Sequence, residues 1–187
     1  MHISMGILNL KEARCMKKTN KLVREMRGTM HQQQLAEEIN VSRESISKYE
    51  NKRTRIPADI SKGLMTKFNN PQFAITLCQE YTGTGPIWLD GPNVDLHRSS
   101  VKEKTLEELE EAIHKLRNTS LAKPLQNLTA YELHAVKEAL NELVEAQTAM
   151  AHLMAVVCME SGISYKDLWS QHYRSLQQAG YLEGADE

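Results

Sequence analysis

The chain has 187 residues, 41% of them hydrophobic, which is enough for one medium or two small domains with a real core. Its longest apolar run, around residues 154–159, is far too short to cross a bilayer, and the N-terminus lacks an apolar stretch with a small-residue cleavage site, so a cytoplasmic location is expected. The net charge of −1 conceals an imbalance: residues 1–70 carry 14 Lys and Arg against 7 Asp and Glu, while residues 71–187 carry 9 against 17, so any polyanion belongs to the front half.

Two Phe, two Trp and six Tyr stand against nine Met and many Leu, Glu, Gln and Lys, a balance that favours helices over sheets and predicts an all-α protein. Cys15, Cys78 and Cys158 are odd in number and scattered, so no disulfide framework or CxxC site is expected, and all three read as buried thiols.

In chain order, residues 8–27 carry helix formers with Leu22 and Met26 four apart, ending at Gly28. Residues 32–39 read as a short helix with Leu35, Ala36 and Ile39 on one face, then a tight turn at Asn40 and Val41. Ser42 is a good N-cap for a helix through Tyr49 that turns Ile46 and Tyr49 inward. Pro57 suits the first position of the next helix, on which Ile60, Leu64 and Phe68 share a face until Asn69, Asn70 and Pro71 stop it. Ala74, Leu77, Cys78 and Tyr81 form a fifth stripe.

From residue 82 to 100 the pattern breaks at Gly83, Gly85, Pro86, Gly91 and Pro92, and Trp88 and Leu89 within this stretch predict a linker that docks. Ser100 and Glu103 match a capping box for a helix carrying Leu106, Leu109, Ile113 and Leu116. Thr129 and Glu132, with Leu128 and Leu133 as a staple, start a long helix. On it Leu133, Val136, Leu140, Leu143, Gln147, Met150, Met154 and Val157 keep three-four spacing as far as Ser161 and Gly162. Ser164 and Asp167 cap a last helix with Leu168, Trp169, Tyr173 and Leu176, closed near Gly180. The domains are therefore expected at 1–81, a linker at 82–100, and a helical region at 101–187 for oligomerisation or partner binding.

The helix pair over residues 32–50 carries the chemistry. Two short helices crossing at a large angle need a small residue at closest approach, Ala36, and an apolar pin in the turn, Val41. With Leu35, Ile39 and Ile46 sealed inside, Arg43, Glu44, Ser45, Ser47 and Lys48 are left on or near the outside, and these are residue types that read base edges. Gln32, Ser42, Asn51, Arg53 and Arg55 are placed to meet the phosphate backbone.

Over residues 19–81 these features resemble the phage repressor and Cro-type, or Xre, helix-turn-helix family. The resemblance rests on Gln32 with Leu35-Ala36, on Val41-Ser42-Arg43, on Ile46-Ser47-Lys48-Tyr49-Glu50-Asn51, and on the basic tail Lys52-Arg53-Thr54-Arg55 before Pro57. It implies a five-helix lambda-repressor-like domain that binds palindromic operators on double-stranded DNA as a dimer and commonly represses. By matching positions Arg43, Glu44 and Lys48 face bases, while Gln32, Asn51, Arg53 and Arg55 face the backbone. The family often has Gly where this chain has Asn40 and Lys52. Its basic partner for Glu50 corresponds to either Arg24 or Arg27.

The long seam, Leu133, Val136, Leu140, Leu143, Met150, Met154 and Val157, is assigned to a homodimer or higher homo-oligomer, with an internal bundle core as the other reading. An enzyme is not expected, because P-loop, dinucleotide-binding, G-x-S-x-G and His-Glu-x-x-His patterns are absent. His114, His134, His152 and His172 lack metal-ligand spacing, so no metal and no cofactor are expected. The alternative function is a protein-interaction adaptor, antirepressor or antitoxin-like, with a regulatory partner on the helical C-terminal region.

Overall fold

The computed structural model describes residues 18–183, which form eight α-helices and one 3₁₀ turn with no strand among the described residues. Cys15 and the expected helix over 8–17 lie outside them. The helices are α1 (18–27), α2 (Gln32–Glu38), α3 (Arg43–Glu50), α4 (Ala58–Phe68), α5 (Pro71–Thr82), α6 (Arg98–Arg117), α7 (Ala130–Ser161) and α8 (Tyr165–Gln178).

The first five surround one core of Leu22, Val23, Leu35, Ala36, Ile46, Tyr49, Ile56, Leu64 and Phe73, with Ile39, Val41, Ile60 and Phe68 packed against it. Pro57 is the N-cap of α4 rather than its first residue, and Asn70 caps α5 by accepting from the Phe73 N–H at 2.9 Å. The expected stripe on α5 is corrected by the structure: the buried residues are Pro71, Phe73, Ile75, Thr76 and Glu80, while Ala74 and Leu77 are half-buried and Cys78 and Tyr81 exposed. α5 serves two cores at once, Phe73 in the first and Ile75 in a second, so its burial follows no single helical stripe. Of the remaining cysteines, Cys158 is buried as expected.

The connector after α5 is anchored by Trp88, which packs with Ile75, Ala151 and Ala155 and stacks on His152 with ring centroids 4.9 Å apart. The Leu89 N–H donates to His152 Nε2 at 3.0 Å, so the other ring nitrogen, Nδ1, carries the hydrogen donated to the Thr148 carbonyl at 2.8 Å.

α6 and α7 run antiparallel, as the pairs Arg98–Glu160, Thr105–Ala149 and Lys115–Glu138 show: one number rises as the other falls. α6 starts two residues before the expected Ser100 cap. His97 is the N-cap, and Ser100 instead donates its hydroxyl to Asp95. The contact between the two helices is built from small or polar positions, Val101, Thr105, Glu108 and Ala112 against Ala139 and Ala146, which let the backbones approach closely. The apolar stripe is consequently left outside, with Leu106, Ile113 and Leu116 exposed on α6. On α7 the seam residues Leu133, Leu140, Leu143, Met150, Met154 and Val157 are also exposed, and Val136 is half-buried. The Thr129–Glu132 capping box opens α7 and Gly162, at φ 73°, ends it. α8 docks on the end of α4, where Asn69 donates to Ser164 Oγ and accepts from the Lys166 N–H, both at 2.9 Å.

Trp88→Ala should remove about 3–5 kcal/mol of stability, the usual cost of emptying a buried aromatic site. Urea unfolding of the full chain measures it. Leu89→Ala, at a residue 39% exposed, should cost far less, and equal losses would show that Trp88 is not the anchor.

Candidate nucleic-acid interface

Two helix ends shape this surface. At the end of α2 the Asn40 N–H bonds the Glu37 carbonyl at 3.3 Å and the Val41 N–H bonds that of Ala36 at 2.8 Å. At the end of α3 the Lys52 N–H bonds the Tyr49 carbonyl at 3.1 Å and the Arg53 N–H that of Lys48 at 2.9 Å. Both are Schellman motifs, in which one residue takes a left-handed conformation so that its own N–H and that of the following residue satisfy the last carbonyls. The left-handed residues are Asn40, at φ 56°, and Lys52, at φ 60°. These are the two positions at which the resembled family often has Gly, so the turn shape survives without it, at a steric cost that Asn tolerates better than Lys.

Between these ends Ser42 caps α3 by accepting from the Ser45 N–H at 3.1 Å. Ile46 and Tyr49 are buried, and Arg43, Glu44 and Lys48 are exposed, with Ser45 and Ser47 half-buried. Asn20 of α1 donates to the Tyr49 carbonyl, holding the last turn of α3 from behind.

Glu50 locks the other end. Its side chain is only 4% exposed, yet it receives Arg27 Nε at 2.5 Å and Nη2 at 3.1 Å, and Gln32 Nε2 at 2.7 Å. Of the two candidate basic partners, Arg27 takes the place; Arg24 acts on Glu50 only through its charge. Burial pushes the Glu50 carboxyl up, but the Arg27 and Gln32 hydrogen bonds and the positive charge of Arg27 and Arg24 outweigh it and hold it below its ordinary value. One carboxylate thus ties α1, α2 and α3 together.

The other residues expected near the phosphate backbone are differently placed. Gln32 gives an amide hydrogen to Glu50, and Asn51 donates to the Ser47 carbonyl at 2.8 Å. Arg55 pairs with buried Glu80 at 3.3 Å, donates to its carbonyl at 3.2 Å and lies over the Tyr81 ring. Arg53 is exposed beside α3, placed there by the second Schellman motif.

Residues 21–71 match the family model described as Helix-turn-helix. This segment is a helix-turn-helix domain. The match begins within α1 and ends at the first residue of α5, and it supports the likeness to phage repressor and Cro-type regulators seen in the sequence. No curated protein and no solved structure matches the chain. A helix-turn-helix domain is a DNA-binding module, which gives the chain the coarse character of a DNA-binding regulator. No helix among the described residues is long and apolar enough to cross a membrane.

The sequence did not single out the Glu80–Arg55 pair, the role of His152 under the connector, or the Asn69–Ser164 link. Their partners lie 25, 63 and 95 residues apart, beyond the reach of any local pattern. Asn40 and Lys52 were visible only as departures from a glycine pattern.

Removing Glu50 or Arg27 alone strands a buried charge, so Glu50→Ala or Arg27→Met should each cost about 3–5 kcal/mol. Because the folded carboxyl is held below its unfolded value, its contribution is present above the ordinary carboxylate range near pH 4.5 and is lost as pH falls through the lower folded value. In urea unfolding across that range the gap between the natural chain and Glu50→Gln should therefore close with acid. A gap that stays constant with pH would remove Glu50 from this role.

Proposed function

We propose that this chain is a sequence-specific transcription repressor of the phage or mobile-element type, not an enzyme, that binds palindromic operators as a homodimer. The observation that carries the reading is the helix-turn-helix with Arg43, Glu44 and Lys48 turned outward on a helix whose two ends are locked, since a base reader must be rigid and exposed at once. In this assignment Arg43 and Lys48 meet guanine acceptors, Glu44 accepts from a cytosine amino group, and Ser45 and Ser47 adapt to either. Arg53 meets a phosphate. Gln32 keeps a second amide hydrogen, and Arg55 and Asn51 present their remaining N–H groups from anchored positions, while Ser42 sits at the helix N-terminus where a phosphate oxygen approaches. The domains are 1–81 for DNA, 82–100 as linker and 101–187 for association.

The dimer is assigned to the apolar face of α6 and α7. In a single chain Leu106, Ile113, Leu140 and Leu143 of this face are exposed, and Leu109 of α6 lines one apolar cleft with Gln147, Met150 and Met154 of α7, bordered by Ile75 of α5 and Trp169 of α8, which places the two stripes on the same side of the hairpin. Two such hairpins stacked face to face make a four-helix bundle, and the polar Gln147 within the seam fixes their register. The bundle sets two recognition helices about 34 Å apart, one turn of DNA.

Footprinting on the DNA flanking the gene supplies the operator. Arg43→Ala and Lys48→Ala should each weaken operator binding by about 1–3 kcal/mol with little effect on random DNA. Arg53→Ala should weaken both alike and lower the salt slope by about one unit. Unchanged discrimination in both recognition-helix variants would sink the assignment.

The seam is tested by Leu140→Asp and Leu143→Asp, which alter residues 56% and 39% exposed in the single chain. Each should leave the helix content by circular dichroism intact but convert the protein to a monomer by light scattering, since an unpaired carboxylate in a buried apolar seam costs several kcal/mol. A folded, still dimeric Leu140→Asp protein would show that the seam lies elsewhere.

A further inference from the structure

Midway along the α6–α7 hairpin, Glu108 points across to Glu142 and Glu145, and one carboxylate oxygen from each of the three lies within 4.8 Å of the others. Like charges this close repel, and a cluster of exposed acids would simply spread into water. Glu108 cannot, because its side chain is only 10% exposed. One of its oxygens, Oε1, is taken by Lys104 at 2.8 Å; the other, Oε2, is buried and has no hydrogen-bond partner. A buried acceptor left without a donor is costly enough that folded proteins rarely keep one. Nearby ammonium groups are engaged: Lys104 holds Glu107 and the Oε1 of Glu108, and Lys115 holds Glu138.

We infer that Glu108, Glu142 and Glu145 bind a divalent cation of the size of Ca²⁺, which clamps α6 to α7. An all-carboxylate donor set selects a hard cation over zinc or copper. The three oxygens lie within 4.8 Å of one another, close enough for one ion to bridge. Three protein carboxylates on one ion suit Ca²⁺, whose shell takes several carboxylates in flexible geometry, better than Mg²⁺, which keeps its waters and is held by one or two. The three residues grade from buried Glu108 through half-buried Glu142 to exposed Glu145, which provides an entry path. Glu108, Glu145 and Thr148 also line a cleft of about 520 Å³, with room for the waters that complete a Ca²⁺ shell. The inference is independent of DNA binding, since it concerns the hairpin alone.

The test is calorimetric titration of the full-length protein with CaCl₂ and with MgCl₂, up to about 10 mM of each, accompanied by melting curves with and without the ion. Saturable Ca²⁺ binding, tighter than Mg²⁺ and raising the melting temperature, is expected. Glu145→Gln, at an exposed site that leaves the fold intact, should weaken Ca²⁺ binding by about tenfold or more, and Glu108→Gln should abolish it. Glu110→Gln, an exposed acid of α6 outside the cluster, should change nothing. No saturable Ca²⁺ binding, equal preference for Mg²⁺, or binding unaltered in Glu145→Gln would each overturn the site.

Discussion

Glu50 stands at the meeting point of α1, α2 and α3 with its carboxylate almost wholly enclosed, and the exposed surface of the helix-turn-helix depends on how that charge is satisfied. An enclosed carboxylate is stable only with donors on both oxygens; Arg27 supplies a two-pronged contact and Gln32 a third hydrogen bond. Because those donors come from different helices, satisfying the charge also fixes the angle between them. The buried faces of Ile46 and Tyr49 set which side of α3 looks inward, and the Glu50 contacts set where its C-terminal end lies. Arg43, Glu44 and Lys48 inherit their outward aim from both constraints.

The rest of the chain obeys a different rule, close approach of backbones through small side chains. Alanines and Thr105 line the contact between α6 and α7, and Ala151 and Ala155 receive Trp88. Small residues inside leave the large ones outside. This is why a helix pair rich in Leu and Met exposes so much of both, and it gives the hairpin an apolar face suited to a second copy. Trp88 joins the two parts of the molecule: Ile75 on one side belongs to α5, next to the helix-turn-helix, and Ala155 on the other to the hairpin. His152 keeps the connector in place by accepting from the Leu89 N–H, so the connector is a fitted component of the fold and not a loose tether.

Much of this was legible in the residues themselves. Ser42, Thr129 and Ser164 announce helix starts because their hydroxyls accept from an N–H three residues on, and Gly28, Gly162 and Gly180 mark helix ends because a left-handed residue is needed there. The helix-turn-helix was readable for the same reason: its cap, turn and small crossing residue fall within twenty consecutive positions. The sequence by itself therefore determined the all-α class, the position of the helix-turn-helix and the docking of Trp88. It misjudged the start of α6, where Asp95 draws off the Ser100 hydroxyl, and the buried side of α5, which faces two cores. Only the tertiary structure decided that Arg27 rather than Arg24 reaches Glu50, that Ala139 and Ala146 rather than Leu140 and Leu143 meet α6, and that Glu108 is enclosed near two other carboxylates. Periodicity reports which residues share a face of one helix; which face meets a neighbour is settled by how closely two backbones pack and by which distant charge completes a buried partner.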